Sequence, residues 1–303
     1  MIRKALLVAA DNKRLEALVS RNRFTGAVVG RYVAGTTLDQ AIGVTRELNG
    51  KGIDVSLDLL GETVSELSES AAATRAYVET LEAIAEHVPG TTVSVKLSQL
   101  GIGLDEHVCS GYVKELLEAA QDAGGTVEID MEHSSVGPQT LGVFRAYLPA
   151  FPKTRVAIQA AMRRTPSDLA SFSETKPRIR LVKGAFLEPL EKALLHADEI
   201  TAQYQHLSEW ALKHLPDPAF GTHDDKCIEH VQRTARDLGI DRRNFEFQML
   251  FGVRRDVQER LAADGYRVRV YVPFGSQWYP YLMRRMAERP ANLQLFVRSL
   301  VGG

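Results

Sequence analysis

The chain has little cysteine. Cys109 and Cys227 are its only two, far apart and in neither a CxxC nor a metal-ligand spacing. This excludes a disulfide framework or a cysteine-built zinc site, and both thiols read as reduced, as in a cytosolic protein. No apolar run approaches a membrane span, and the one near Met1 is too short for a secretory leader. A net charge of -1 over 303 residues gives no electrostatic footprint for nucleic acid. No GxGxxG follows the first strand-like segment, which argues against a dinucleotide fold of the doubly wound kind. That segment, Val55 to Glu62, also has no HxH pair, the usual mark of a metallohydrolase barrel. Asp130, Glu132, His133, His223 and Asp224 are therefore set aside as metal ligands, and no metal is expected.

Hydrophobic content of 45% and charged content of 25% are those of a soluble globular protein. Residues 1–49 read as helices preceding the main fold, with turns near Gly26 and Gly35. From residue 50 to 303 a rhythm sets in. Strand-like segments at Ile53–Leu59, Thr92–Leu97, Thr126–Met131, Arg155–Ala160, Ile179–Val182, Ala219–His223, Phe245–Leu250 and Val268–Val272 alternate with helix-like stretches. The helical ones include Ser65–His87, Glu106–Ala123, Leu190–Leu215, Lys226–Leu238 and Arg255–Ala263. This predicts one closed α/β domain, a (β/α)8 barrel, with an open doubly wound sheet as the structural alternative.

One face of the strands is apolar, as in Val55, Leu57 and Leu59. The other carries Asp58, Lys96, Glu128, Asp130, Gln159, Arg180, Glu246, Gln248, Arg269 and Tyr271. In a barrel the polar set points inward, where its opposite charges must pair to offset desolvation. Glu128, Glu246 and Arg269 then read as structural salt bridges. Lys96, Asp130, Gln159, Lys183, Thr222, His223, Gln248 and Tyr271 close separate strands, where barrel enzymes place their sites.

The stretch from Arg269 to Asn292 runs strand, Pro273–Gly275 turn, Ser276 as N-cap, then helix. Tyr281, Arg284, Arg285 and Glu288 share one face of that helix. Two adjacent arginines there can clamp a small carboxylate; the competing reading is a solvated Arg–Glu face. With Lys96 and Asp130 they could surround one small zwitterion. Lys96 could instead be a Schiff-base nucleophile. Arg180-Leu-Val-Lys-Gly-Ala-Phe186 ends a strand in a glycine turn that lets backbone approach a ligand.

Together these motifs closely resemble the proline dehydrogenase family: Val93-Ser-Val-Lys-Leu-Ser98, Ile129-Asp-Met-Glu132, Ile158-Gln159, Arg180 to Ala185, Gly221-Thr-His-Asp224, Phe245 to Leu250, and Tyr271 to Asn292. The resemblance covers about Val55 to Asn292, and Tyr-Leu-x-Arg-Arg-x-x-Glu at 281–288 is its most specific part. It implies a distorted (β/α)8 barrel that binds FAD and oxidises L-proline at C5 to Δ1-pyrroline-5-carboxylate, passing electrons to a membrane quinone. It implies a single-function enzyme without an attached aldehyde dehydrogenase, cytoplasmic and visiting the membrane surface, with no stable protein partner. Carried over residue by residue, Arg284 and Arg285 bind the proline carboxylate with Lys96. Tyr281, Tyr271 and Leu250 wall the ring pocket, and Glu288 holds the arginines. Asp130 lies at the substrate. Met131, Gln159, Arg180, Val182, Lys183, Gly184, Ala185, Phe186, Thr222, His223 and Gln248 contact the flavin. Asp130 and Arg180 are the candidate catalytic pair. Phe186 replaces a frequent Tyr, and Asp224 a common Asn. Hydroxyproline dehydrogenase is the alternative within the family, but Tyr271 stands where that enzyme typically has serine. Outside it remain a lysine-dependent aldolase and a non-enzymatic binding barrel.

Overall fold

The computed structural model describes residues 25–61, 63–186 and 188–288, the side chains of 25–28 and 284–288 excepted. Helices α1 (Thr25–Tyr32) and α2 (Leu38–Asn49) come first. A barrel follows: β1 (Asp54–Leu59), α3 (Leu67–His87), β2 (Thr92–Val95), α4 (Glu106–Asp122), β3 (Thr126–Ile129), α5 (Gly137–Tyr147), β4 (Arg155–Gln159) and α6 (Thr165–Ala170). It continues with β5 (Arg178–Val182), α7 (Ala197–His214), β6 (Ala219–Gly221), α8 (Asp225–Asp237), β7 (Glu246–Leu250), α9 (Arg255–Ala263), β8 (Arg267–Phe274) and α10 (Trp278–Glu288). The strands pair in parallel in sequence order, and β8 closes onto β1 with Val55 opposite Val270. The closed barrel confirms the expected architecture and removes the open-sheet alternative.

Alternation along the strands divides two interiors. Val55, Leu57, Val93, Val127, Val156 and Phe247 are buried against the helices, whose apolar stripes face them. Tyr77, Leu81 and Ile84 of α3, and Cys227, Ile228, Val231 and Ala235 of α8, follow helical spacing. The other face fills the barrel with paired charge. Arg155 Nη1 donates to Glu128 at 2.7 Å and Glu246 at 2.8 Å, and its Nη2 to Asp217 at 3.0 Å. Arg269 donates to Glu246 at 3.0 and 3.1 Å and to the Val55 carbonyl at 2.9 Å. Gln248 Nε2 links the two glutamates, 2.9 Å from Glu128 and 2.8 Å from Glu246. Glu128, Glu246 and Arg269 are thus the barrel salt bridges expected of them.

Several boundaries differ from those read in the sequence. Gly26 lies in the first turn of α1 instead of a turn between helices, where the helix backbone is not yet fully committed and glycine costs little. Gly35 does sit in the expected turn, with φ +134°. The strands β2, β3 and β6 stop two residues early, so Lys96, Asp130, Thr222 and His223 stand on the loops just beyond. β8 runs through Pro273 to Phe274, because Pro273 needs only to accept: its carbonyl receives Ala34 N at 2.9 Å. Gln248 and Tyr271 accordingly lie within strands and do not end them. Helix α10 begins at Trp278, beyond the proposed Ser276 cap, and α7 begins only at Ala197. Helix α1 packs by the loop after β7, where Gly252, at φ +75°, has the Arg31 carbonyl in the place a Cβ would take.

Replacing Arg155 by Met leaves two buried carboxylates short of a cation. Breaking such a pair should cost about 3–5 kcal/mol, measured by urea unfolding of the variant against the wild type. A loss under about 1 kcal/mol would mean that the network contributes no more than surface pairs do.

Candidate active site

The mouth of the barrel is built where the charge column reaches the strand ends. Alternation places Asp58, Lys96, Asp130, Arg180 and Tyr271 on the inward side of five different strands or the loops that end them. Lys96 Nζ lies 2.5 Å from Asp58, 3.2 Å from Asp130 and 2.9 Å from the Tyr271 hydroxyl. That hydroxyl donates to Asp130 at 2.7 Å. Arg180 Nη2 donates to the other oxygen of Asp130, and Nη1 to Glu128 at 2.9 Å and to Gln248 Oε1 at 3.2 Å. The Arg180 guanidinium also lies 5.7 Å from the Tyr271 ring centroid, and Lys96 Nζ lies 5.6 Å from it.

These contacts set the protonation states. Burial dominates at Asp58 and pushes its carboxyl up, with Lys96 pulling only partway back. Burial also opposes the Asp130 charge, yet Lys96 and then Arg180 outweigh it and hold that carboxyl below the ordinary aspartate range. For Lys96, burial would lower the ammonium, but Asp58 first, then Tyr271 and Asp130, raise it well above the usual lysine value. A Schiff-base lysine needs the opposite shift, so this geometry disfavours the aldolase reading. Burial, followed by Asp130 and Asp58, keeps Tyr271 a phenol far into alkaline solution.

The remaining expected residues divide into groups. Val182, Lys183, Gly184, Ala185 and Phe186 form the end of β5 and its turn, and Lys183 Nζ is engaged by Asp224 at 2.5 Å and Thr201 at 2.7 Å. Gly184 adopts φ +104°, with Gln159 Oε1 3.0 Å from where its Cβ would lie. Gln159 donates to the Met131 and Glu132 carbonyls at 3.3 and 2.8 Å, and the Met131 side chain packs on the apolar core. Phe186 is 40% exposed, its ring 4.3 Å from that of His133. Thr222 Oγ1 accepts from Asp224 N at 3.1 Å, and His223 Nε2 accepts from Leu250 N at 2.8 Å. Gln248 spends its amide inside the network, deeper than a strand-end position. Tyr281 is buried on α10. The side chains of Arg284, Arg285 and Glu288, on the same helix, lie outside those described, as does Asn292.

Sequence reasoning left out Asp58 as a site residue, although alternation had already put it on the inward face, two residues from Leu60. It also passed over Arg254, which enters α9 at φ +52° and donates to the His223 carbonyl at 3.1 Å. Glu132, the end of the quoted Ile129–Glu132 motif, receives Ser98 N at 2.9 Å, while no local pattern marks Glu188, which receives Ser134 N at 2.8 Å. Among the described residues no cluster of histidine, cysteine or acids could hold a metal.

A closed parallel barrel whose C-terminal face gathers paired charges from five strands defines a (β/α)8-barrel enzyme site. The proline dehydrogenase family model matches residues 41–298. Proline dehydrogenase of Deinococcus radiodurans is 35% identical over 310 residues, covering 100% of this chain and 99% of that one. Proline dehydrogenase 1 of Bacillus subtilis (strain 168) is 34% identical over 303 residues and 99% of both chains. The crystal structure of proline utilization A (PutA) from Bdellovibrio bacteriovorus, inactivated by N-propargylglycine, superposes with a TM-score of 0.84 at 22% identity. It is matched by 100% of this chain, which spans 38% of its length. The chain belongs to the proline dehydrogenase family, and so to the oxidoreductases.

Tyr271 offers a direct test of the mouth's electrostatics. A folded-state value above the free phenol's means stabilisation present below about pH 10 and lost as pH rises further. Wild type minus Tyr271→Phe should therefore give no tyrosinate absorbance step up to about pH 10. A step at or below that pH would contradict the hydrogen-bonded, buried hydroxyl.

Proposed function

We propose that this protein oxidises L-proline to Δ1-pyrroline-5-carboxylate, with FAD as cofactor and a quinone as the final electron acceptor. The observation that carries the reading is the joined Lys96–Asp58–Asp130–Tyr271–Arg180 cluster at the barrel mouth, in a chain of this family. It also draws on the names of the full-length relatives.

The residues at the mouth fit a flavin. Arg180 Nε is buried without a hydrogen-bond partner, a donor that an added acceptor would satisfy. Gly184 and Gly221 let the ends of β5 and β6 pack closely beside it, since a Cβ would meet Gln159 Oε1 at 3.0 Å and Val182 Cγ1 at 2.8 Å. In this reading Arg180, Gln159, Val182, Lys183, Gly184, Ala185, Phe186, Thr222, His223, Gln248 and Met131 hold FAD, which when bound supplies the two-electron acceptor. The protein's own part is positioning. Tyr271 is held by a bond given and a bond received, so its ring is a fixed wall of the substrate pocket. Leu250 and Tyr281 complete that wall. Lys96 stays charged and Asp130 stays ionised, which keeps the mouth's charge constant while a zwitterion enters. Arg284 and Arg285, steadied by Glu288, hold the carboxylate, and exclusion of water strengthens each of these contacts.

Tyr271 also favours proline over hydroxyproline, because its anchored ring cannot swing aside for a ring hydroxyl. The chain acts as one domain, with helices α1 and α2 preceding the barrel; residues 1–24 and 289–303 of the expected segments lie outside the described residues. Among the described residues no helix is long and apolar enough to cross a membrane. A cytoplasmic protein meeting its quinone at the membrane surface agrees with that, with neither nucleic acid nor a stable protein partner required.

Steady-state oxidation of proline with a soluble quinone tests the carboxylate clamp. Arg285→Met should weaken proline saturation by on the order of 2–4 kcal/mol while FAD content stays near normal. Unchanged saturation would remove Arg285 from the substrate, and absence of Δ1-pyrroline-5-carboxylate with wild type would reject the function itself.

A further inference from the structure

After β5 the described residues 183–186 and 188–196 form a strap folded back across the end of β4. Its far half is fixed by backbone. Arg163 N donates to the Lys192 carbonyl at 2.9 Å and Leu194 N to that of Ala161 at 2.8 Å, around an antiparallel bridge between Met162 and Ala193. Its near half is tied by a side chain. The Glu188 carboxylate, 5% exposed, accepts from Ser134 N at 2.8 Å and Ser134 Oγ at 2.5 Å, with His133 Nδ1 at 3.3 Å. Ser134 and His133 belong to the loop after β3, so the contact reaches past β4 to join loops 54 residues apart in sequence.

Hydrophobic burial does little to hold this strap. Phe186, Leu190 and Leu195 are 40%, 58% and 54% exposed. A segment with few buried apolar contacts opens easily unless polar contacts restrain it. Both attachments border one cavity, which His133, Ser134, Gln159 and Met162 help to line. The root of the strap is the Gly184 turn, packed on Gln159 and Ala161, so movement of the strap reaches that wall directly.

We infer that Glu188 is a positioning residue which fastens the strap over the cofactor turn and so sets how fast the dinucleotide leaves. This rests on the FAD reading above. Two hydrogen bonds accepted by one buried side chain restrain the strap where apolar burial does not. The Ser134 hydroxyl is needed for one of them, whereas the amide is supplied by any residue there except proline.

The test uses FAD-loaded protein and follows release by the rise of flavin fluorescence after dilution, with melting temperature read separately. Glu188→Ala should release FAD about tenfold faster, with melting close to wild type. Ser134→Ala, a milder change should Glu188→Ala fold poorly, should release it several-fold faster. Glu188→Gln, which keeps an oxygen for the Ser134 amide, should recover most of the retention. Hydrogen exchange should quicken at Ser134 and over residues 188–192 in Glu188→Ala and stay unchanged in the strands. Normal FAD uptake with unaltered release in both alanine variants overturns this inference alone. So does faster release that tracks lower melting with no recovery in Glu188→Gln. Wild type that takes up no FAD overturns the cofactor reading and this inference together.

Discussion

Buried charge must be paired, and here the pairing runs the length of the barrel. From Asp217 and Arg267 at the lower end, carboxylates and cations alternate through Glu246, Arg155, Arg269 and Glu128 to Arg180, Asp130, Lys96 and Asp58 at the mouth. No member is independent of the next, since each carboxylate except Asp58 receives donors from more than one residue and each guanidinium donates to more than one acceptor. Removing one charge strands its neighbours at a cost that water cannot relieve. The apolar shell between strands and helices closes the barrel; the column decides what its open end can do.

The same column explains why the mouth keeps stable protonation states. Asp58 and Asp130 lie on either side of Lys96, and their carboxyls move in opposite directions. Arg180 reaches Asp130 and not Asp58, and the Asp130 charge in turn pushes the Asp58 carboxyl up. Arg180 itself is steadied from below by Glu128 and Gln248, so the residue at the mouth is aimed by the network beneath it. This is support of the kind a preorganised site requires.

Much of this was legible in the chain. Alternation of Val55, Leu57 and Leu59 with Asp58, and of Val268 and Val270 with Arg269 and Tyr271, displayed both faces of the strands and with them the barrel and its charged interior. The inward set lacked Arg155, which donates to Glu128 and Glu246, and Asp217 and Arg267 below it; which members met was not readable either, because pairs such as Asp58–Lys96 and Arg155–Glu246 are set by register between strands far apart in sequence. Strand ends were overrun at Lys96, Asp130 and Thr222, since a polar residue that keeps the alternation looks the same whether or not its backbone is still paired. Pro273 misled in the other direction: it was taken to end a strand that in fact passes through it. The Glu188–Ser134 contact left no trace in the sequence, for it joins two loops without periodicity.

The account's central claim is that the charged mouth serves proline oxidation by a bound flavin. Anaerobic addition of L-proline to the purified protein, followed by visible absorbance, tests it most directly. The account predicts a yellow protein whose flavin band bleaches on adding proline, with Δ1-pyrroline-5-carboxylate formed in step with the bleaching. A colourless preparation that takes up no FAD, or a flavin band that saturating proline leaves intact, would contradict it.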